Sequence, residues 1–231
     1  MPRVRPEHRL DHLVETAAKV FTARGYRRTQ MADVARAMGV APGTLYLYVA
    51  SKEALFDLVV QRAFRDADTL PPPRLPIPAP AAGATLHHLR ERFAREARLQ
   101  ALAAALSRRR VSDARAELEG IVRELYAFVA AKRRGIALLD RSALDWPELA
   151  TLFFKGFRRT LLRQLTTYLE RRMRQRQLRR VPHPAAAARL IVETVAWFAM
   201  HRHGDLDSSM IDDAAAEATV VDALVNTFAK E

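Results

Sequence analysis

The 231-residue chain contains no cysteine. This absence excludes disulfide bonds, thiolate metal sites and a cysteine nucleophile, because all three require a sulfhydryl group. A chain without disulfides needs no oxidising compartment in which to fold. We therefore expect a cytoplasmic protein.

Long apolar runs and glycine-rich motifs are missing too. No segment offers the roughly 18 uncharged apolar residues that cross a bilayer, and the best candidate, residues 190–200, contains Glu193. Charges also interrupt residues 10–21, so the N-terminus does not resemble a signal peptide. The sequence has no phosphate-binding loop, nucleophile elbow or zinc-binding helix pair, and it predicts no catalytic site, cofactor or metal.

Acidic residues are scarcer than basic ones. The 26 Asp and Glu residues stand against 38 Lys and Arg residues, which gives a formal net charge of +12. Such an imbalance favours a polyanionic partner but does not indicate a fold. Two readings stay open on charge alone: sequence-specific recognition of DNA, and a non-specific basic protein held only by phosphate contacts.

Apolar residues recur at helical rather than strand spacing along most of the chain. The first helical pattern ends at Gly25, a second ends at Gly39, a third begins at Pro42, and Ser51 precedes a fourth as its cap. We therefore predict an all-α fold. Further helical patterns cover roughly residues 85–106, 112–134, 148–178, 184–203 and 209–229.

The segment from Thr29 to Lys52 has the features of a helix-turn-helix. That motif needs a small residue where its helices cross, a tight turn, and an apolar residue that pins the pair together, and Ala35, Gly39 and Val40 meet these needs. The second helix then presents an N-terminal edge to the major groove, with Leu45 facing inward. The residues of that edge are Pro42, Gly43 and Thr44.

Four further residues of this segment are of types that contact DNA phosphates. Tyr46 and Tyr48 carry hydroxyl donors on or after the recognition helix, Lys52 supplies a cation beside a helix N-terminus, and Thr29 opens the preceding helix. An ordinary helical hairpin with surface tyrosines has the same composition. The order of the residues is what favours the DNA-binding interpretation.

This order closely resembles the TetR family of bacterial regulators over about the first 65 residues. The run is Gly25-Tyr26, Thr29, Met31-x-x-Val34-Ala35, Gly39-Val40, Pro42-Gly43-Thr44-Leu45-Tyr46-x-Tyr48 and Ser51-Lys52-Glu53-x-Leu55-Phe56. The resemblance implies a homodimer that binds a palindromic operator in double-stranded DNA, usually as a repressor, and that a small-molecule effector releases. It also implies that Thr29, Tyr46, Tyr48 and Lys52 contact phosphates while residues 41–44 face the bases. Ala41 stands where the family often has a polar residue.

The organisation that follows has two domains. Six of the 12 prolines lie between residues 70 and 80, and so many fixed φ angles and missing amides predict an extended linker rather than a helix. We expect a three-helix helix-turn-helix domain at residues 1–68, a linker at 69–84, and a larger helical domain for ligand binding and dimerisation at 85–231.

The last two helical patterns predict a dimer interface. Apolar residues in the final pattern follow steps of four and three, as in a helix that packs along a partner helix. They are Ala214, Ala218, Val221, Val225 and Phe228, and the preceding helix adds Leu190, Ile191, Thr194, Val195 and Phe198. Burial of both stripes inside one subunit is the alternative interpretation.

Residues 158–180 contain nine arginines and a single acid, Glu170. Three interpretations are open: a solvated helix face, a second surface for DNA phosphates, or a site for an anionic ligand. The amphipathic pattern of the same helix favours the solvated face.

Overall fold

The computed structural model describes residues 6–64, 74–96, 98–208 and 210–230. Within these ranges the chain is all-α, which confirms the predicted fold class. The β-type pairing there consists of isolated bridges, between Val49 and Ile77 and between Leu178 and Ala229. Part of the predicted linker, residues 69–73, lies outside the described residues.

Eleven α-helices follow one another in the described chain. They are α1 (Pro6–Arg24), α2 (Met31–Met38), α3 (Pro42–Leu45), α4 (Lys52–Phe64), α5 (Ala84–Glu96), α6 (Gln100–Ser107), α7 (Ala114–Ala143), α8 (Pro147–Ala150), α9 (Arg159–Arg174), α10 (Pro184–Ala199) and α11 (Asp213–Phe228). A π-helical segment, Thr151–Arg158, joins α8 directly to α9. None of these described helices is long and apolar enough to cross a membrane.

Four ends of the first four helices lie where the sequence predicts. Glycines end α1 and α2, and a proline and a serine cap begin α3 and α4. Gly25 has a φ of +86°, and its N–H donates to the Phe21 carbonyl at 2.8 Å. Gly39 ends α2 with a φ of +68°. Pro42 is the first residue of α3, and the Ser51 hydroxyl accepts the N–H of Ala54 at 3.2 Å as an N-terminal cap of α4.

The single helix predicted at residues 85–106 is two helices, α5 and α6. The cause is a tertiary cap that periodicity does not reveal. The carboxylate of Glu124, in α7, accepts the N–H groups of Gln100 and Ala101 at 2.6 and 2.7 Å. These groups open α6 and would otherwise lack an acceptor, so the acid from a distant helix stabilises a new helix start.

Helix α7 extends to Ala143, beyond the predicted end at residue 134. Gly135, the first residue beyond that predicted end, is buried in the helix interior. A Cβ atom there would lie 2.6 Å from the ring of Phe64 in α4. Glycine usually weakens a helix; here it lets the aromatic ring approach the helix backbone.

The described chain forms two compact units. The first contains the residues up to Arg92 together with Arg134–Phe153, and the second contains Phe93–Arg133 and the residues from Phe154 onward. Helix α7 contributes residues to both. The domain bounds expected from the sequence stay a prediction. The core of the first unit includes Leu13, Ala17, Phe21, Val34, Leu45, Leu55 and Phe56.

In the second unit half of the ten residues of the two C-terminal apolar stripes are buried within the chain itself. Val221, Val225 and Phe228 of α11 are at most 3% exposed. Ile191 and Val195 of α10 are fully buried. These five residues are buried within one chain because α10 packs against both α9 and α11. The dimer interface stays a prediction. Other side chains of the two helices stay exposed: Leu190, Trp197, Ala214 and Ala218.

Candidate nucleic-acid interface

A tight turn joins α2 to α3. The N–H of Gly39 donates to the Arg36 carbonyl at 3.1 Å, and the N–H of Val40 donates to the Ala35 carbonyl at 3.0 Å. The left-handed backbone at Gly39 lets both bonds form. Val40 then leads into α3, whose first turn is closed by the N–H of Thr44 on the carbonyl of Ala41 at 2.9 Å.

Helix α3 presents an exposed N-terminal edge above a buried anchor. Ala41, Pro42 and Gly43 are exposed, and Thr44 is partly exposed. Leu45 is fully buried, as predicted for the residue that fixes the helix on the core. The four residues predicted to face bases therefore form one continuous surface, which is mostly backbone and methyl groups.

Tyr46 and Leu47 continue this exposed edge. Tyr46 is 48% exposed and Leu47 is 67% exposed. Leu47 is not among the residues predicted to contact DNA, although a large apolar residue with no place in a helical stripe was a usable signal. Exposed apolar side chains of this kind contact thymine methyl groups and sugars in DNA-binding motifs.

The other two hydroxyl residues predicted to contact phosphates are buried. Thr29 is fully buried, and its hydroxyl donates to the carbonyl of Gly25 at 2.8 Å. Tyr48 is 9% exposed. The carbonyl of Tyr48 accepts the N–H of Ile77, and the N–H of Ala50 donates to the carbonyl of Ile77, both at 2.8 Å. In this structure Thr29 and Tyr48 hold the turns that flank α2 and α3.

Lys52, the first residue of α4, extends its ammonium group to the turn between α1 and α2. Its Nζ is 3.2 Å from the carbonyl oxygen of Tyr26, 3.1 Å from that of Thr29 and 3.4 Å from that of Arg27. The ammonium also lies 4.7 Å from the centre of the Tyr26 ring. An ammonium has three N–H donors, and three carbonyl oxygens accept them here, so the cation caps this turn.

Tyr26 is the centre of an aromatic cluster beneath the interface. Its ring lies 4.6 Å from that of Phe56 and 4.8 Å from that of Trp146, measured between centroids. Its hydroxyl donates to the carboxylate of Glu53 at 3.1 Å. Burial, and then the negative charge of Glu53, raise the pKa of the Tyr26 hydroxyl, so it stays a neutral donor at physiological pH.

Residues at the end of α7 and just after it bind the same turn. Arg141 donates through Nε to the carbonyl of Ala23 at 3.1 Å, and Arg28 forms an ion pair with Asp145 at 3.6 Å. A Cβ atom on Gly25 would lie 2.9 Å from Oδ2 of Asp145. The turn before α2 is therefore fixed by residues far along the chain, which no local pattern predicts.

Helix α2 begins with a side-chain carboxylate that closes its first turn. Asp33 accepts the N–H of Gln30 at 2.9 Å through one oxygen and pairs with Arg24 at 2.7 Å through the other. The hydrogen bond from Gln30 and the nearby arginines lower the pKa of Asp33. In the described part of the chain, no three His, Cys, Asp or Glu side chains are grouped as a metal site requires.

The family model described as "Bacterial regulatory proteins, tetR family" matches residues 13–59. Over 58 residues the chain is 41% identical to the HTH-type transcriptional repressor KstR2 of Mycobacterium tuberculosis. That alignment spans 25% of this chain and 28% of KstR2. The family model, at residues 13–59, includes the exposed edge of α3.

Solved structures extend the likeness to the complete fold. The ketosteroid transcriptional regulator KstR2 of Mycobacterium tuberculosis matches with a TM-score of 0.54 and 16% identity, over 96% of each chain. A tetR-family regulatory protein from Rhodococcus RHA1 matches with a TM-score of 0.52 and 17% identity, over 94% of this chain and 95% of its own. AibR, crystallised with isovaleryl coenzyme A and operator DNA, matches with a TM-score of 0.50 and 17% identity, over 95% and 97%.

Proposed function

Because the chain belongs to the TetR family of bacterial regulatory proteins, we propose that it is a sequence-specific transcription regulator, a repressor that a small-molecule effector releases from a palindromic operator. The observation that supports this function best is the exposed N-terminal edge of α3, fixed by the buried Leu45. The family match at residues 13–59 includes that edge. The protein acts in the cytoplasm, at the nucleoid when bound to DNA, and as a regulator rather than an enzyme.

The eight predicted DNA-binding residues have two roles in this proposal. Residues 41–44 read base edges in the major groove, and Tyr46 donates its exposed hydroxyl to a phosphate. Thr29, Tyr48 and Lys52 hold the turns that orient this surface. Because residues 41–43 offer no polar side chain, recognition depends on methyl contacts, on the hydroxyl of Thr44 and on the shape of the DNA.

Two copies of α3 are required for a useful operator. A single module contacts few bases, whereas a two-fold dimer places its recognition helices about 34–36 Å apart in successive major grooves. We assign the dimer interface to α10 and α11. Leu190 and Trp197 of α10 lie seven residues apart on one helix face and are 52% and 38% exposed, and exposed alanines of α11 provide a flat surface for close helix approach.

Effector control requires a connection between ligand binding and α3. Residues 141–148, at the end of α7 and the start of α8, contact the turn before α2 through Arg141, Asp145 and Trp146. A ligand that shifts this end of α7 would therefore move the turn and, with it, the spacing of the two recognition helices. AibR, whose crystal structure contains both isovaleryl coenzyme A and operator DNA, supports a small-molecule effector for this fold.

Selection of bound sites from a random duplex library, at near-physiological salt, tests the proposal. We expect an enriched inverted repeat with the wild-type protein and none with the Thr44→Ala/Tyr46→Ala variant. Arg163→Gln, which removes an exposed charge from α9, is the matched control and should enrich the same repeat. Strong binding without enrichment would instead establish a non-specific basic DNA-binding protein.

A further inference from the structure

An open cavity of about 400 Å³ lies in the second unit, at the end of α9. Its lining is formed by Leu106, Ser107, Arg109, Arg171, Arg174 and Gln175. Three of the six residues are arginines, from two separate segments of the chain. Arg171, Arg174 and Gln175 belong to the arginine-rich stretch at residues 158–180, for which a solvated face, a DNA surface and an anionic-ligand site were all open.

A buried ion pair holds together the two segments that line this cavity. Arg172 is fully buried beside Glu117, with its Nε 2.7 Å from Oε2 and its Nη2 3.0 Å from Oε1. The remaining guanidinium hydrogens go to the carbonyl of Ala105 at 3.0 Å, to that of Arg109 at 3.4 Å, and to Oε1 of Gln175 at 3.0 Å. All five N–H donors are thus used. Arg172 fastens the loop after α6 to the end of α9, and the solvated face predicted for this residue is wrong.

The arginines of the lining keep their charge available. In the described part of the chain, Arg109, Arg171 and Arg174 form no ion pair with a carboxylate. Arg171 donates to the carbonyl of Leu106, a neutral acceptor, and Gln175 donates to the carbonyl of Arg109 at 2.6 Å. Neutral hydrogen bonds orient these side chains and the loop without cancelling the positive charge.

The negative C-terminal ends of two helices offset only part of the positive charge of the cavity lining. The last turns of α6 and α9 each carry a partial negative charge of about half a unit, which cations stabilise. Together they offset about one positive charge, whereas the cavity lining carries three arginines and the loop adds Arg108 and Arg110, both exposed. The surplus makes the cavity a site of strongly positive potential.

We infer that this cavity binds a small molecule through a phosphate or pyrophosphate group. Guanidinium groups pair with phosphate oxygens in a two-pronged geometry, and a volume of about 400 Å³ falls within the range of small-molecule sites. The three arginines lie around one cavity, an arrangement that suits a single compact anion better than successive phosphates along a duplex. The inference goes beyond the proposed function, because it concerns a second anion site away from the helix-turn-helix.

Calorimetric titration with inorganic pyrophosphate, in the absence of DNA, tests the inference. The wild-type protein should bind pyrophosphate, and Arg109→Gln/Arg174→Gln should bind it at least about tenfold more weakly, since charge-assisted hydrogen bonds are lost. Both side chains are exposed, so the variant should fold. Arg159→Gln/Arg163→Gln removes the same charge from exposed positions of α9 outside the lining and should leave the affinity unchanged.

Equal binding by all three proteins, or no binding by the wild type, would overturn the inference. A second titration, with a short duplex of random sequence, tests the remaining alternative that these arginines contact DNA. If the cavity variant flattens the salt dependence of duplex binding while pyrophosphate affinity is unchanged, the arginines contact DNA and the small-molecule site is excluded. Because pyrophosphate binding is measured without an operator, this result is independent of the selection experiment.

Discussion

The indole ring of Trp146 stacks on the ring of Tyr26, with centroids 4.8 Å apart and planes inclined by 29°. Tyr26 belongs to the turn before α2, and Trp146 directly precedes α8. Phe56 of α4 contacts both rings, at 4.6 and 5.8 Å. The turn before α2 and helix α4 therefore share an aromatic cluster with a segment from much later in the chain.

Replacing Trp146 with alanine should destabilise the protein by about 2–3 kcal/mol, because a large aromatic side chain and its stacking are lost at a partly exposed site. Urea unfolding followed by far-UV circular dichroism measures the change. Trp146→Phe keeps a ring in the cluster and should retain most of the stability. Equal stability of the alanine variant and the wild type would show that the cluster does not support the turn.

Two glycines of α7 should respond in opposite directions to alanine. Gly135→Ala places a Cβ against the Phe64 ring and should cost about 1–2 kcal/mol through overpacking, even after the gain in helix propensity. Gly120→Ala meets nothing within 4 Å and should stabilise the protein by up to about 1 kcal/mol. Thermal unfolding of both variants checks the prediction. A stabilising Gly135→Ala would mean that α4 and α7 do not pack as closely as described.

Lys52→Met should destabilise the protein by about 2 kcal/mol while leaving the salt dependence of operator binding nearly unchanged. The reason is that the ammonium binds three carbonyl oxygens rather than a phosphate. Fluorescence anisotropy over a range of salt concentrations measures the slope. A fall in the slope by about 0.9 would instead establish a direct phosphate contact, as the order of the residues predicts for Lys52.

Tyr46→Phe should have the opposite effect to Lys52→Met, because Tyr46 is exposed and is proposed to contact a phosphate. Its phenol is 48% exposed, so loss of the hydroxyl should leave stability unchanged. Operator affinity should fall by about tenfold or more, as expected when a hydrogen bond to a charged phosphate is removed. Unchanged affinity would exclude Tyr46 from the DNA contacts.

Asp33→Asn should lower stability at neutral pH but not in acid. The native state lowers the pKa of this carboxyl, chiefly through the N–H of Gln30 and then through Arg24. Its contribution is therefore present above the pKa of the unfolded chain and is lost as pH falls below about 4, through the lowered native value. Urea unfolding of both proteins at several pH values should show the two stabilities converging. A constant difference down to pH 2 would contradict this linkage.

Local chemistry made much of the first unit predictable. Gly25, Gly39, Pro42 and Ser51 each act through their own backbone conformation or a neighbouring amide, so their roles can be read from a few adjacent residues. Leu45 was predictable because the second helix of a helix-turn-helix turns an apolar residue inward as its anchor. The edge of α3 followed from these ends.

Long-range partners account for what the sequence did not predict. Glu124 starts α6 from another helix, and Arg172 is buried because Glu117 neutralises it. Lys52 turns toward carbonyl oxygens of the preceding turn. In each case the residue type and its spacing fit a surface position equally well, and only the three-dimensional arrangement identifies the acceptor.

The backbone pairing of Ile77 with Tyr48 and Ala50 affects how regulator chimeras should be made from this protein. A graft that stops before Ile77 leaves the carbonyl of Tyr48 without a donor and the N–H of Ala50 without an acceptor, shortly after α3 in the chain. Under the proposed function, moving the DNA specificity of this protein onto another regulator would therefore require a larger graft. It would have to contain the proline-containing segment with Ile77 and also Arg134–Phe153, which belongs to the same compact unit.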